Sequence, residues 1–274
     1  MEDADCVATL QWALPRAGLR WPGFRRVRRQ VCRRLERRLA ELGLPDATAY
    51  RRRLETDADE LQRLAALCTV SVSRFFRDRT VFECLGARVV PALAAAALAR
   101  RSQRLECWSA GCASGEEAYS LAIQWRAQLC ASLPAFGFRV LGTDVDATLL
   151  DRARAACYQP SSLRELPLEW RELAFESREG RHCLRKLFRD GVEFERRDLR
   201  AEPPQREFDL VLCRNLAFTY FAPDLARCAL DRIASRLRPG GALVIGVHER
   251  LPPDARGFSA WPGCRAVFQH AVSA

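Results

Sequence analysis

The sequence predicts an α/β fold, a doubly wound and mostly parallel sheet, behind a small N-terminal all-α domain. Three observations predict it. Up to about residue 98, apolar residues recur at helical spacing. From residue 105 onward, short apolar runs alternate with helix-length stretches, as strands do when crossover helices join them on both faces of a parallel sheet. The first of those runs opens directly into a turn containing glycine, where an open α/β sheet binds ligands.

The elements follow in order. In residues 24–35, Val27, Val31 and Leu35 lie four apart and form one apolar stripe on an arginine-coated helix. Gly43 is placed to cap that helix. Helices are expected at 47–54 and at 57–67, the latter with Leu61, Leu64 and Leu67 on one face. Phe75, Phe76, Phe82 and Leu85 suggest a fourth, with helical character continuing over 91–100. Strands at 105–109, 138–142, 191–195, 208–213 and 242–247 then alternate with helices at 116–130, 147–157 and 223–237. The segment 163–187 breaks the alternation and is read as an insertion. The expected domains are 1–98 and 99–274, with the insertion near 163–190 inside the second.

A chain of 274 residues, 49% hydrophobic, can build one sizeable core beside a small helical domain. The sequence has no run of eighteen apolar residues, so a membrane span is not expected. Residues 1–15 carry Glu2, Asp3 and Asp5 and lack a basic leader, so a cytoplasmic protein is expected. The net charge is +10 with a single lysine, Lys186, so the basic charge is almost all arginine. Codon usage accounts for such a bias, and so does an acidic partner; the guanidinium fork binds carboxylate and phosphate alike. The twelve cysteines form no CxxC pair, and most are expected to be buried thiols. No metal site is expected.

The candidate ligand site is built from three loops. The first strand feeds Trp108-Ser109-Ala110-Gly111-Cys112-Ala113-Ser114-Gly115-Glu116-Glu117. Gly111 and Gly115 allow a tight turn and close approach to a ligand. Two carboxylates at the helix start would repel a pyrophosphate, whereas they suit a cationic ligand such as S-adenosylmethionine. The second strand ends in Gly142-Thr143-Asp144, which places the Asp144 carboxylate where a ribose would be held. Asp146 is expected to cap the following helix. Arg214 and Asn215 follow the strand at 208–213, and Tyr220 carries a hydroxyl able to reach an acceptor.

These motifs together resemble the CheR-type chemotaxis receptor methyltransferase family. The resemblance rests on residues 108–123, on Gly142-Thr143-Asp144-Val145-Asp146, on Cys213-Arg214-Asn215, on residues 237–243 and on Gly246-Val247-His248-Glu249. It extends to Ser73-Arg74-Phe75-Phe76-Arg77-Asp78 in the helical region. It implies a class I methyltransferase (Rossmann-like) domain with a small inserted β-subdomain, S-adenosylmethionine as cofactor, and protein glutamate side chains as methyl acceptors. By matching motif, Ser71, Ser73 and Arg77 approach the cofactor, and Glu116 or Glu117 contacts its methionine end. Asp144 holds the ribose, and Asp198, Leu199, Arg214, Asn215 and Leu216 line the adenine side. Arg77 and Tyr220 are the candidates for holding the acceptor.

The sequence departs from the family at several points. Ser71 and Ser73 stand where the family usually has Asn and Thr, and Asp198 where it usually has Asn. The spacing from Arg214-Asn215 to Tyr220 is one residue longer, and Val247-His248-Glu249 replaces the usual His-Ser-Glu. The expected partner is an acidic protein, such as a receptor cytoplasmic helix, docking on the basic helix over 25–38. A nucleic acid is not expected, since no RNA-binding module is visible. The alternatives are a methyltransferase for a small molecule or RNA, or a non-catalytic sensor of the cofactor.

Overall fold

The structure, a computed structural model, describes residues 2–69 and 73–271. The chain divides into two compact units, one of 2–69 with Leu216–Ala226 and the other of 73–215 with 227–271. Residues 73–98, grouped with the helical domain from sequence, fall in the second unit.

The first unit is helical: α1 (Asp3–Arg16), α2 (Trp21–Phe24), α3 (Arg28–Glu41), α4 (Ala47–Thr56) and α5 (Ala58–Cys68). Helix α1 has no counterpart in the sequence reading. Helix α3 buries Val31, Cys32, Leu35 and Leu39, and Gly43 just beyond it takes φ +65°, so that Leu44 N–H reaches the Leu39 carbonyl at 3.0 Å. Asp46 and Asp57 cap α4 and α5 by accepting from Ala49 N–H and Glu60 N–H. Glu60 is buried between these helices. Its carboxylate takes a two-pronged contact from Arg38, at 2.9 and 2.6 Å, and the Tyr50 hydroxyl at 2.9 Å. The Arg38 contact holds Glu60 below the usual carboxylate range against the opposing effect of burial. The short helix α12 (Ala217–Tyr220), reached later in the chain, belongs to this unit, and Leu19 bridges Phe221 beside it.

The second unit opens with Ser73–Asp78, which is not helical. Phe76 and Asp78 have φ of +54° and +60°, so the expected fourth helix starts only at Arg79. Helix α6 (Arg79–Cys84), a π-helical turn (Leu85–Val89) and α7 (Val90–Ala99) run on as one element. The Phe82 carbonyl, just before the π turn, accepts from the Gln124 side chain at 2.7 Å as well as from backbone N–H. By length and composition this 21-residue helix is apolar enough to cross a membrane. Here its Val81, Phe82, Leu85, Val89, Leu93 and Ala97 are buried in the core.

The strand–helix alternation follows: β1 (Arg104–Ala110), α8 (Glu116–Gln128), β2 (Gly137–Asp144) and α9 (Ala147–Ala155). The insertion comes next, with β3 (Cys157–Tyr158), α10 (Leu168–Ala174), β4 (Phe175–Arg178) and β5 (Arg181–Leu184) making a separate antiparallel sheet in the order β3-β5-β4. Helix α11 (Lys186–Arg189), β6 (Val192–Arg196), β7 (Phe208–Leu212), α13 (Pro223–Ala234), β8 (Leu237–Val244), β9 (Phe258–Ala260) and β10 (Val267–His270) complete the unit, the first residues of α13 counting with the helical unit. The main sheet has the order β6-β2-β1-β7-β8-β10-β9, parallel except where β10 joins β8 and β9. The strands β9 and β10 were not foreseen, and β8 begins earlier than expected because the strand runs through Pro239 and Gly240-Gly241. Helix α7 packs on β1, β7 and β8, and α8 on β1, β2 and β6.

The reading of most cysteines as thiols is corrected at six positions. Cys6–Cys32, Cys84–Cys264 and Cys157–Cys183 are disulfides, and their sequence separations of 26, 180 and 26 give no local signature. Cys68, Cys107, Cys112 and Cys213 are buried outside any disulfide.

Arg38→Ala is expected to leave Glu60 buried without its counter-ion and to destabilise the helical unit by about 3–5 kcal/mol. Faster amide hydrogen exchange in α3 and α5 would report the loss. Because Glu60 titrates low when folded, its contribution is present above the ordinary carboxylate pKa and lost as pH falls through the folded value.

Candidate functional site

The strands β2, β1 and β7 are parallel neighbours, so their carboxyl ends lie at one edge of the sheet. From β1 the chain winds first through β2 and β6 on one side, then through β7 and β8 on the other. The order therefore reverses between β1 and β7, which opens a crevice there.

The glycine loop is zipped to the end of β2. Gly111 N–H and Cys112 N–H both donate to the Thr143 carbonyl, at 2.8 and 2.9 Å. Ala113 N–H donates to Asp144 Oδ2 at 2.9 Å, and Trp108 Nε1–H to Thr143 Oγ1 at 2.9 Å. A Cβ on Gly115, at φ +88°, would lie 2.9 Å from Ala153 Cβ and 3.0 Å from Phe194 Cζ, so both space and conformation require glycine. From the inserted sheet, the Tyr158 hydroxyl donates to the Ser114 carbonyl at 2.8 Å.

Three carboxylates gather on this frame. Glu116 is 2% exposed and accepts from Ser114 Oγ at 3.0 and 3.1 Å and from the Ser73 side chain. Burial raises its pKa. Burial likewise raises Asp144, although it accepts from Ala113 N–H and, at 3.0 Å, from Asp146 N–H. Among the described residues neither carboxylate has a cation within salt-bridge distance; Arg152 acts on Glu116 only at longer range. Glu117 is also raised by burial, and here Arg214 and the Ser109 hydroxyl, at 3.2 and 2.7 Å, oppose the shift.

Arg214 is the hub. Its side chain is 2% exposed. It donates through Nη1 to Glu117 Oε2, and through Nη2 to Asp78 Oδ2 at 2.7 Å and to the Arg77 carbonyl at 2.8 Å. Its buried Nε has no acceptor among the described residues. Phe76 N–H donates to Ser120 Oγ on α8 at 3.0 Å, so the 73–78 turn is seated on α8 and on Arg214 together. Asn215, at φ +55°, donates its N–H to Glu249 Oε2 at 2.8 Å.

The structure thus gathers Ser73, Arg77, Gly111, Gly115, Glu116, Glu117, Asp144, Arg214 and Asn215 within one unit. Asp198 and Leu199 lie in the turn beyond β6; the Asp198 carboxylate is taken up by Arg200 at 2.8 to 3.0 Å. Burial raises the Asp198 pKa, but the Arg200 contacts outweigh it and hold the carboxyl low. Leu216 and Tyr220 belong to the helical unit, where the Tyr220 ring packs 4.7 Å from Phe24. Ser71 lies outside the described residues. Asp146 caps α9 as expected, accepting from Thr148 and Leu149 N–H. Ser109, Ser114, Asp78 and Glu249 were not foreseen as participants. Their signal was membership of a motif: each stands inside one of the quoted motifs, without an assigned role. No cluster of three or more metal-ligating side chains occurs among the described residues.

Comparison with known proteins identifies the family. Residues 71–266 match the family described as CheR methyltransferase, SAM binding domain, and residues 27–68 match CheR methyltransferase, all-alpha domain. The chemotaxis protein methyltransferase of Listeria monocytogenes is 34% identical over 198 residues, 72% of each chain. Chemotaxis protein methyltransferase 1 of Pseudomonas aeruginosa is 32% identical over 228 residues, 81% of each chain. An uncharacterized 104.1 kDa protein of Rhodobacter capsulatus is 33% identical over 241 residues, which are 87% of this chain but 25% of that protein.

The buried pair makes one electrostatic prediction. Arg214→Met is expected to raise the pKa of Glu117 further, because burial remains while the opposing guanidinium is gone. A carboxyl-carbon NMR titration would read the shift, and an unmoved Glu117 resonance would contradict the assigned pairing.

Proposed function

Because this chain belongs to the CheR methyltransferase family, we propose that it methylates glutamate side chains of an acidic protein, with S-adenosylmethionine as methyl donor. One observation carries the reading. Glu116 and Asp144 are carboxylates at or beyond the carboxyl ends of the neighbouring strands β1 and β2, accepting from neutral donors and raised by burial. A cation entering the crevice would relieve both. The donor supplies a methyl group on a positively charged sulfur and carries an ammonium besides, so its charge suits these residues.

The residues of the chain then bind and orient. Asp144 is aligned by the Ala113 and Asp146 N–H groups, and its carboxylate can still accept from a ribose hydroxyl. Glu116 is assigned to the cationic end of the donor. Glu117 is fixed by Ser109 and Arg214 and shapes the floor beneath it. Arg77, half-buried and electrostatically coupled to Glu117, is assigned to an acceptor or donor carboxylate. A glutamate acceptor has an ordinary pKa near 4.3 and is already an anion at neutral pH. It needs no general base. The catalytic contribution is alignment and removal of water, worth about 7–11 kcal/mol in favourable cases.

The helical unit offers a surface for an acidic partner. On α3, Arg29, Arg33 and Arg37 lie four residues apart and are exposed, opposite the buried Val31, Leu35 and Leu39. A substrate helix rich in glutamate would present the complementary charge.

Incubation with methyl-labelled donor and a cell lysate should label acidic proteins with an ester that releases methanol in base. Base-stable label, or label confined to RNA or small molecules, would refute the proposed acceptor. Arg77→Ala should cut turnover about 100-fold, the scale of one charged donor at a reacting centre, with an unchanged melting curve. Substrate binding should weaken steeply between about 50 and 300 mM salt, and replacing Arg29, Arg33 and Arg37 with glutamine should flatten that dependence.

A further inference from the structure

We propose that Glu249 is a positioning residue of the donor site: it holds Asn215 in a left-handed backbone turn and so aims Arg214 at Glu117 and Asp78. The inference rests on the reading of this crevice as the methyl-donor site.

The geometry leads to it step by step. The last ladder bond joining the ends of β7 and β8 runs from Cys213 N–H to the Val244 carbonyl, at 2.9 Å. Beyond it, among the described residues, no backbone bond joins the two strands, yet both must be held where the crevice opens. One carboxylate oxygen does this. Glu249 Oε2 accepts from Asn215 N–H at 2.8 Å and from Gly246 N–H at 2.6 Å. Both are charge-assisted hydrogen bonds, the stronger class. Glu249 reaches back over a tight turn that its own N–H closes on the Gly246 carbonyl, at 2.8 Å.

Space confirms how closely the groups approach. A Cβ on Gly246 would lie 2.5 Å from Asn215 Nδ2 and 2.8 Å from Glu249 Oε2, so a side chain there forces the Asn215 amide and the Glu249 carboxylate to shift. Asn215 has φ +55°, a conformation that L residues rarely take and Asn tolerates best. Arg214 directly precedes this reversal. The direction of its side chain, and hence its reach to Glu117 Oε2, Asp78 Oδ2 and the Arg77 carbonyl, depends on where Asn215 is held. Glu249 therefore acts on the site through backbone it does not share with the ligand.

The test measures S-adenosylhomocysteine affinity of the full chain by calorimetry, with circular dichroism and melting as controls. Glu249→Ala is expected to bind about tenfold more weakly or worse while staying folded, as expected when buried donors lose their acceptor. Glu249→Gln, whose amide oxygen can accept from the same two N–H groups, should stay within about threefold of the original. Gly246→Ala should weaken binding as Glu249→Ala does. A folded Glu249→Ala protein with unchanged affinity overturns the inference, even if it melts earlier. So does a Glu249→Gln variant as weak as the alanine variant, since charge rather than positioning would then be at work. If Glu249→Ala fails to fold, Gly246→Ala decides, and unchanged affinity there overturns the inference. An unaltered chain with no affinity for S-adenosylhomocysteine overturns the donor-site reading and this inference with it. Loss confined to the variants spares that reading.

Discussion

A single buried guanidinium ties together three stretches of chain that are far apart in sequence. Arg214 leaves the end of β7, reaches Glu117 at the start of α8, and closes on Asp78 and the Arg77 carbonyl. A charge this deep is tolerable only when each partner is in place, and removing any partner strands the others. The 73–78 turn, the first turn of α8 and the end of β7 are therefore mutually dependent. Two of the left-handed residues, Phe76 and Asp78, lie in the turn that this contact secures. Strain of that kind persists only where the surroundings over-determine it.

The same economy shapes the acids. A parallel sheet delivers strand ends to one edge, and the loops leaving those ends meet there whatever their sequence. What this chain adds is burial without full compensation. Glu117 has its arginine, whereas among the described residues Glu116 and Asp144 are held at short range by hydroxyl and N–H donors alone. The folded chain thus carries an electrostatic cost at the crevice that a cationic ligand would offset. Gly115 lets the loop lie against Ala153 and Phe194.

Much of the frame was legible because it follows local rules. Strand–helix alternation, the capping aspartates and the Gly43 turn depend on residues a few positions apart. The misreadings share a cause as well. Phe75 and Phe76 looked helical by periodicity, but Phe76 N–H is taken by Ser120, 44 residues later, and a left-handed turn results. Six cysteines looked like core thiols because nothing near them in sequence marks their partners. The strands β9 and β10 are short and half-exposed, and each pairs antiparallel only once β8 is in place.

By itself the sequence determined the α/β class, the insertion, the glycine loop and the identity of the acids that line it. Those features are written in spacing and residue type, which act over one turn or one strand. The tertiary structure alone decided which oxygen meets which donor. Arg214 was an expected ligand contact, and the fold spends its Nη groups on Glu117, Asp78 and the Arg77 carbonyl. Glu249 was a motif residue without an assigned role, and the divergence of β7 and β8 makes it the acceptor for two strand ends. Hydrogen-bond partners across 34 to 137 positions are set by how strands pack, and no local pattern encodes that distance.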